Sequence, residues 1–184
     1  MTRLTAEHFV LDLTARPRVG FRGAQSALYL EGHGFELPGA PNRARRQADG
    51  GWALQLSNTE YFLLGAGADD GQRLADLEAS WELDHQANYL LPRHDSHAWL
   101  QLQGPRIAEV LAKLCGVDLR PQAFAPGQVA QTQVARVTAL VANTGSDAAP
   151  CFELLFDRCS HEYFLGALLD ALGEFGGILA PEQP

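Results

Sequence analysis

Several stretches of this 184-residue chain gather side chains capable of acid, base or ligand chemistry. His94-Asp95-Ser96-His97 sets two imidazoles around a carboxylate and a hydroxyl, and Cys159-Ser160-His161 lines up a thiol, a hydroxyl and an imidazole. Nucleophilic catalysis needs a base beside the nucleophile and a third group to orient that base, and a metal needs three or four convergent ligands. Neither stretch supplies such a set. Consecutive strand residues point to opposite faces, so His94 and His97 do not converge, and no G-x-S-x-G elbow surrounds any serine. Both are read as surface or loop histidines, with no catalytic and no metal-binding residue assigned. Gly65-Ala-Gly-Ala-Asp-Asp-Gly71 follows a strand and opens a helix as a dinucleotide loop does. Asp69 and Asp70 would put two negative charges where a pyrophosphate must lie, and the preceding strand belongs to a hairpin. The segment is read as a glycine-rich connection with an aspartate cap, and no cofactor-binding residue is assigned.

Arg43-Ala-Arg45-Arg46, after Pro41-Asn42, is the densest basic run, and Arg16-Pro-Arg18 lies upstream. Arginines in a loop are ordinarily solvated. The functional reading of Arg43, Arg45 and Arg46 is docking onto an acidic partner surface or a folate tail. Thirteen of the 14 basic residues are arginine, which tolerates burial at interfaces better than lysine. The whole chain carries a formal charge of -8, which opposes a general affinity for nucleic acid or anionic membranes. Its start, Met1 to His8, is charged, and no run of apolar residues reaches membrane-spanning length, so a cytoplasmic location is expected. Cys115, Cys151 and Cys159 lack C-x-x-C spacing and fit reduced, mostly buried thiols.

The elements that position these residues are clearest in the second half. Trp99 to Gly104 alternates as a half-buried strand, and Pro105 suits the first turn of a helix whose Ile107, Val110, Leu111 and Leu114 form one apolar stripe. Gly116 stands where a left-handed cap is expected. Val134 to Val141 is a β-branched run, Asn143 to Asp147 a turn, and Cys151 to Phe156 the antiparallel partner. Ser160 is a candidate cap for a helix running to Gly176-Gly177, and the proline-rich end is expected to fray. The same order recurs upstream. Gly23 and Gly104 lie 81 positions apart after matching strands, and Gly34 and Gly116 lie 82 apart after short helices. Trp52 to Leu64 supplies a second hairpin, and Leu74, Leu77 and Trp81 a second late helix. Strand, helix, hairpin, helix, stated twice, predicts an α+β fold of two tandem ferredoxin-like halves, with antiparallel sheets and helices on one face. The repeats span about residues 8–87 and 88–177, within a single compact domain of residues 1–184.

The order of Trp99-Leu-Gln-Leu-Gln-Gly-Pro105, Leu111 to Gly116, Asp118-Leu119, Phe124-Ala-Pro-Gly127, Phe152-Glu-Leu-Leu and Glu174-Phe-Gly176 resembles the gamma subunits of heterotetrameric sarcosine oxidases. Gly34 to Pro38, Pro41-Asn42 and Trp52 to Leu64 resemble the first half of that family. The resemblance implies a fold related to the tetrahydrofolate-binding glycine cleavage T-protein and a noncatalytic accessory role. It also implies larger flavoprotein partner subunits that hold FAD, FMN, NAD and tetrahydrofolate and oxidatively demethylate sarcosine to glycine. The Lys-Gly-Cys-Tyr-x-Gly-Gln-Glu signature of a related folate-binding group is missing, so no folate-site residue carries over. The alternative is a stand-alone tetrahydrofolate-binding or aminomethyltransferase-like protein.

Overall fold

The computed structural model describes residues 7–181. In chain order the elements begin with β1 (Phe9–Asp12), β2 (Arg18–Arg22), α1 (Ser26–Gly32), β3 (Arg43–Arg46), β4 (Trp52–Gln55), β5 (Glu60–Leu64), α2 (Gln72–Ser80) and β6 (Tyr89–Pro92). They continue with β7 (His97–Gln103), α3 (Ile107–Ala112), β8 (Val129–Val134), β9 (Val137–Asn143), β10 (Cys151–Asp157), α4 (His161–Gly173) and β11 (Ile178–Leu179). Packing divides the chain into two compact units, residues 15–96 and residues 7–14 with 97–181.

In the unit of residues 15–96 the sheet runs β3-β4-β5-β2-β6, antiparallel throughout. Alternate residues of β2, β4 and β5, namely Val19, Phe21, Ala53, Tyr61 and Leu63, face Leu30 of α1 and Leu74 and Leu77 of α2 in one core. The other unit has a six-stranded sheet, β8-β9-β10-β7-β1-β11, in which only the short β1–β11 pair is parallel. Leu100, Leu102, Val141, Phe152, Leu154 and Phe156 face α3 and α4, where the Phe164 ring stacks on Phe156 at 3.7 Å. Each unit is an antiparallel sheet with two helices on one face, as the repeated pattern predicts.

Position by position, β2, β3, β4 and β5 of the first sheet match β7, β8, β9 and β10 of the second. The remaining strand is exchanged. β1 precedes β2 in sequence but pairs with β7, and β6 precedes β7 but pairs with β2. The sequence repeat and the packing units therefore divide the chain at different places.

Matching details of the backbone accompany this exchange. Gly23 and Gly104 take φ of 148° and 141°, a region open only to glycine, where each passes under the chain entering the exchanged strand. At that crossing Ser26 Oγ donates to Asn88 Oδ1 (2.9 Å) in one unit, and the Arg106 backbone N–H donates to buried His8 Nε2 (3.2 Å) in the other.

Several local expectations need correction. Val134 to Val141 is not one strand: Ala135 and Arg136 both take positive φ (49° and 66°) and turn the chain sharply between β8 and β9. Such a turn usually carries Asn-Gly, so Ala-Arg hides it. Gly116 is not a left-handed cap, because α3 ends on right-handed Lys113 and Cys115 bridges to Val134. Gly34, its counterpart after α1, does take positive φ. Ser160 makes no side-chain cap; Asp157 accepts from the Cys159 N–H (3.0 Å) and turns the chain into α4. Ile178 and Leu179 add a short strand that pairs with β1, and the proline-rich end expected to fray, past residue 181, lies outside the described residues. The three thiols range from buried Cys115 through half-buried Cys151 to exposed Cys159.

Candidate functional site

Arg43, Arg45 and Arg46 do not lie in a loop. They form β3, an edge strand whose side chains are mostly exposed, paired only with β4 among the described residues. The hairpin turn at Ala48, Asp49 and Gly50 makes this pairing local, and Gln47 fixes its end. The Gln47 amide donates to the carbonyls of Glu36 (2.8 Å) and Arg45 (3.1 Å) and accepts from the Glu36 N–H (2.9 Å). Arg45 forms an ion pair with Glu36, whereas Arg43 and Arg46 make none with the described residues. Three guanidiniums thus stand on one sheet edge of an acidic chain. Arg18 is different: it is buried, and its guanidinium donates to the carbonyls of Arg16 (2.7 Å) and His94 (2.8 Å).

The histidine-containing stretches are drawn into local structure. His94 Nε2 lies 3.2 Å from the Ala15 carbonyl, while Ser96 Oγ donates to Pro92 O (3.0 Å). His97 starts β7 opposite Asp157. Among the described residues, no three or more His, Cys, Asp and Glu gather as a metal site needs. His161 has a partner that sequence spacing could not reveal, since its Nε2 lies 2.7 Å from Asp12 Oδ2, 149 positions away. Burial pushes the Asp12 carboxyl up, but hydrogen bonds from Thr14 and the neighbouring His161 outweigh it and leave it below its ordinary value. A group depressed in the folded state contributes stability above its unfolded value and loses it as the pH falls. Asp12→Asn is therefore expected to flatten part of the stability loss below about pH 3.8, read from thermal melts across acid pH. Equal acid sensitivity in both proteins would contradict this role.

Gly65 to Gly71 connects β5 of an antiparallel hairpin to α2. The Asp69 carboxylate accepts from the N–H groups of Gly71 (2.9 Å) and Arg73 (3.2 Å), occupying the donors a phosphate would need. This segment does not fit a dinucleotide.

The residue missed at the sequence level is Glu153. It is 1% exposed in the middle of β10, on the sheet face opposite α3 and α4. Trp99 Nε1–H donates to its Oε2 (2.7 Å), and Gln101 Nε2–H and Thr144 Oγ–H donate to Oε1 (2.8 Å each). Burial pushes the Glu153 carboxyl up despite these donors. The Cys151 thiol beside it is pushed up to about 12, by burial first and then by the Glu153 charge. The outward signal was one carboxylate inside the apolar run Phe152 to Phe156. Through Thr144 this network holds one end of residues 144–150, which rim a groove of about 410 Å³ floored by Ile107, Leu119 and Phe152. The groove's Asn143 amide is engaged, donating to Phe124 O (2.7 Å) and accepting from the Gly145 N–H (3.2 Å). Its one charged lining residue is Asp147, which does not fit the anionic tail of a folate.

With this geometry in place, residues 42–180 match the family described as the GCVT N-terminal domain. The chain belongs to that family. As a GCVT-family chain it is also 28% identical over 142 residues to the sarcosine oxidase gamma subunit of Corynebacterium sp. (strain U-96), covering 77% of this chain and 66% of that relative. The gamma subunit of Corynebacterium sp. (strain P-1) is 28% identical over 81% of this chain and 70% of its own length. Among solved structures, heterotetrameric sarcosine oxidase from Corynebacterium sp. U-96, in complex with pyrrole 2-carboxylate, contains a chain of the same fold. The TM-score is 0.74 at 24% identity, over 96% of this chain and 88% of that one. The glycine cleavage aminomethyltransferase T of Bartonella henselae matches with a TM-score of 0.65 at 15% identity, over 95% of this chain and 48% of that one. The chain spans about two thirds of the gamma subunits it resembles.

Proposed function

We propose that this chain is a noncatalytic accessory subunit, of gamma type, in a sarcosine oxidase-like heterotetramer that oxidatively demethylates sarcosine to glycine. The observation that carries the reading is the similarity to sarcosine oxidase gamma subunits along 77–81% of the chain. The site geometry supports it. Asp69 is spent on a helix cap, His161 on Asp12, and Glu153 on interior donors, while the arginines of β3 face outward. On this reading the flavins, nicotinamide dinucleotide and tetrahydrofolate of the assembly reside in larger partner subunits in the cytoplasm. Among the described residues no helix is long and apolar enough to cross a membrane.

Arg43, Arg45 and Arg46 are assigned to docking, steering an acidic patch of a larger subunit at the interface rim. Co-expression with sarcosine oxidase alpha and beta chains is expected to yield a complex that survives size exclusion. Replacing the three arginines with alanine is expected to slow assembly about tenfold at low salt and much less at high salt. Failure of the tagged wild-type chain to retain the larger chains would refute the subunit reading. Saturable micromolar binding of tetrahydrofolate to the isolated chain would instead support the stand-alone folate-binding alternative.

A further inference from the structure

β3 offers more than charge. It is the terminal strand of its sheet, and no described strand lies on its outer side. The Gln47 N–H donates to Gly51 O (2.8 Å), and the register continues with Arg45 opposite Ala53 and Arg46 opposite Trp52. Antiparallel ladders alternate inward and outward backbone groups, so Arg45 turns its N–H and C=O toward β4 while Ala44 and Arg46 turn theirs away. The outward groups are held in extended geometry by β4 on one side and by the Gln47 clasp at the end, so a partner strand finds them already ordered.

We infer that β3 is a strand-addition site, and that its occupant is an extended acidic segment of a larger partner subunit that pairs with the backbone of Ala44 and Arg46. The inference rests on the accessory-subunit reading and specifies how that subunit is held. The sequence of the edge selects the occupant. Arg43 projects to one face and Arg46 to the other, while Arg45 is held by Glu36, so Asp or Glu on either face of an added strand meets a guanidinium without an ion pair among the described residues. A second copy of β3 would set arginine against arginine, which opposes self-pairing. Nucleic acid offers no peptide groups to the outward N–H and C=O, and the chain's charge of -8 repels it.

The test separates charge from backbone pairing. Ala44→Pro removes one outward N–H while leaving every side-chain charge and the bonds to β4 in place, because proline is tolerated where an edge N–H faces solvent. Ala44→Val keeps the N–H and serves as the control, and Arg43→Glu with Arg46→Glu reverses the charge. Each full-length variant is titrated against the co-expressed larger subunits at low and high salt. The expected result is a loss of affinity of about tenfold or more for Ala44→Pro at both salts. The charge reversal should lose as much at low salt and recover at high salt, while Ala44→Val stays near wild type. Hydrogen exchange of the wild-type segment 43–46 is measured alongside, with and without the larger subunits, and is expected to slow on assembly. Assembly that leaves Ala44→Pro at wild-type affinity, or leaves exchange at 43–46 unchanged, overturns strand addition and makes β3 a charged edge guard. If Ala44→Pro fails to fold, the exchange measurement alone decides. If the wild-type chain never binds the larger subunits, the accessory-subunit reading falls and this inference falls with it.

Discussion

Glu153→Ala is expected to lower the thermal midpoint by roughly 10 °C, corresponding to a loss of about 3 kcal/mol. The substitution leaves the Trp99 indole N–H, the Gln101 amide and the Thr144 hydroxyl without the acceptor they share, at a position 1% exposed. Each buried donor stripped of its partner costs on the order of 1–3 kcal/mol, partly relieved where water enters. Glu153→Gln keeps one acceptor but sets an amide N–H against a donor, so a smaller loss of about 1–2 kcal/mol is expected. The pH dependence identifies the carboxyl itself. A group whose folded value is raised gives its full stabilisation below the unfolded value, and loses it as the pH rises through the folded value. Wild-type stability is therefore expected to fall as the pH climbs above the ordinary glutamate value of 4.5, and Glu153→Gln should lack that component. Chemical denaturation at a series of pH values from about 4.5 upward measures both. Identical slopes in wild type and Glu153→Gln would sink the assignment.

Gly23→Ala is expected to be comparably damaging, on the order of 3 kcal/mol, and Gly104→Ala somewhat less. A Cβ on Gly23 would lie 2.0 Å from the Ala87 carbonyl oxygen and 2.6 Å from its carbon, both backbone atoms, at φ of 148°. On Gly104 it would meet the His8 ring at 2.6 Å and the Glu7 carbonyl at 2.8 Å. Residues 87–88 and 7–8 lead into β6 and β1, so each glycine lets one sheet receive its exchanged strand. Gly116→Ala is the contrasting control. The methyl it adds would meet nothing within 4 Å, and the backbone there has no positive φ, so a change within about 0.5 kcal/mol is expected. Equal midpoints for Gly23→Ala and Gly116→Ala would remove the conformational role assigned to Gly23.

The candidate docking residues were legible only as types. Three arginines in four positions are conspicuous in an acidic chain, yet nothing in Arg43-Ala-Arg45-Arg46 alternates apolar with polar, so the run reads as a loop. It becomes a strand because β4, across a short turn, supplies the ladder. Glu153 was legible as a charge inside the apolar run Phe152 to Phe156, but Trp99 and Gln101 are 54 and 52 positions away and reach it only through the β7–β10 register. His161 and Asp12 meet for the same kind of reason, across α4 and β1.

What the residue order determined by itself was the repeated architecture: apolar stripes at helical spacing, the Trp52 to Leu64 hairpin, the break after Gly23 and Gly104, and hence two sheets with helices on one face. These features follow from local periodicity and backbone freedom, which each segment carries wherever it packs. The tertiary structure decided which strand completes which sheet. β1 and β6 occupy equivalent sequence positions, and each precedes in the chain a strand it does not pair with. Backbone hydrogen-bonding groups do not encode a particular partner strand, so partner choice is a property of the assembled sheets, and with it come the Glu153 network, the glycine crossings and the open edge at β3.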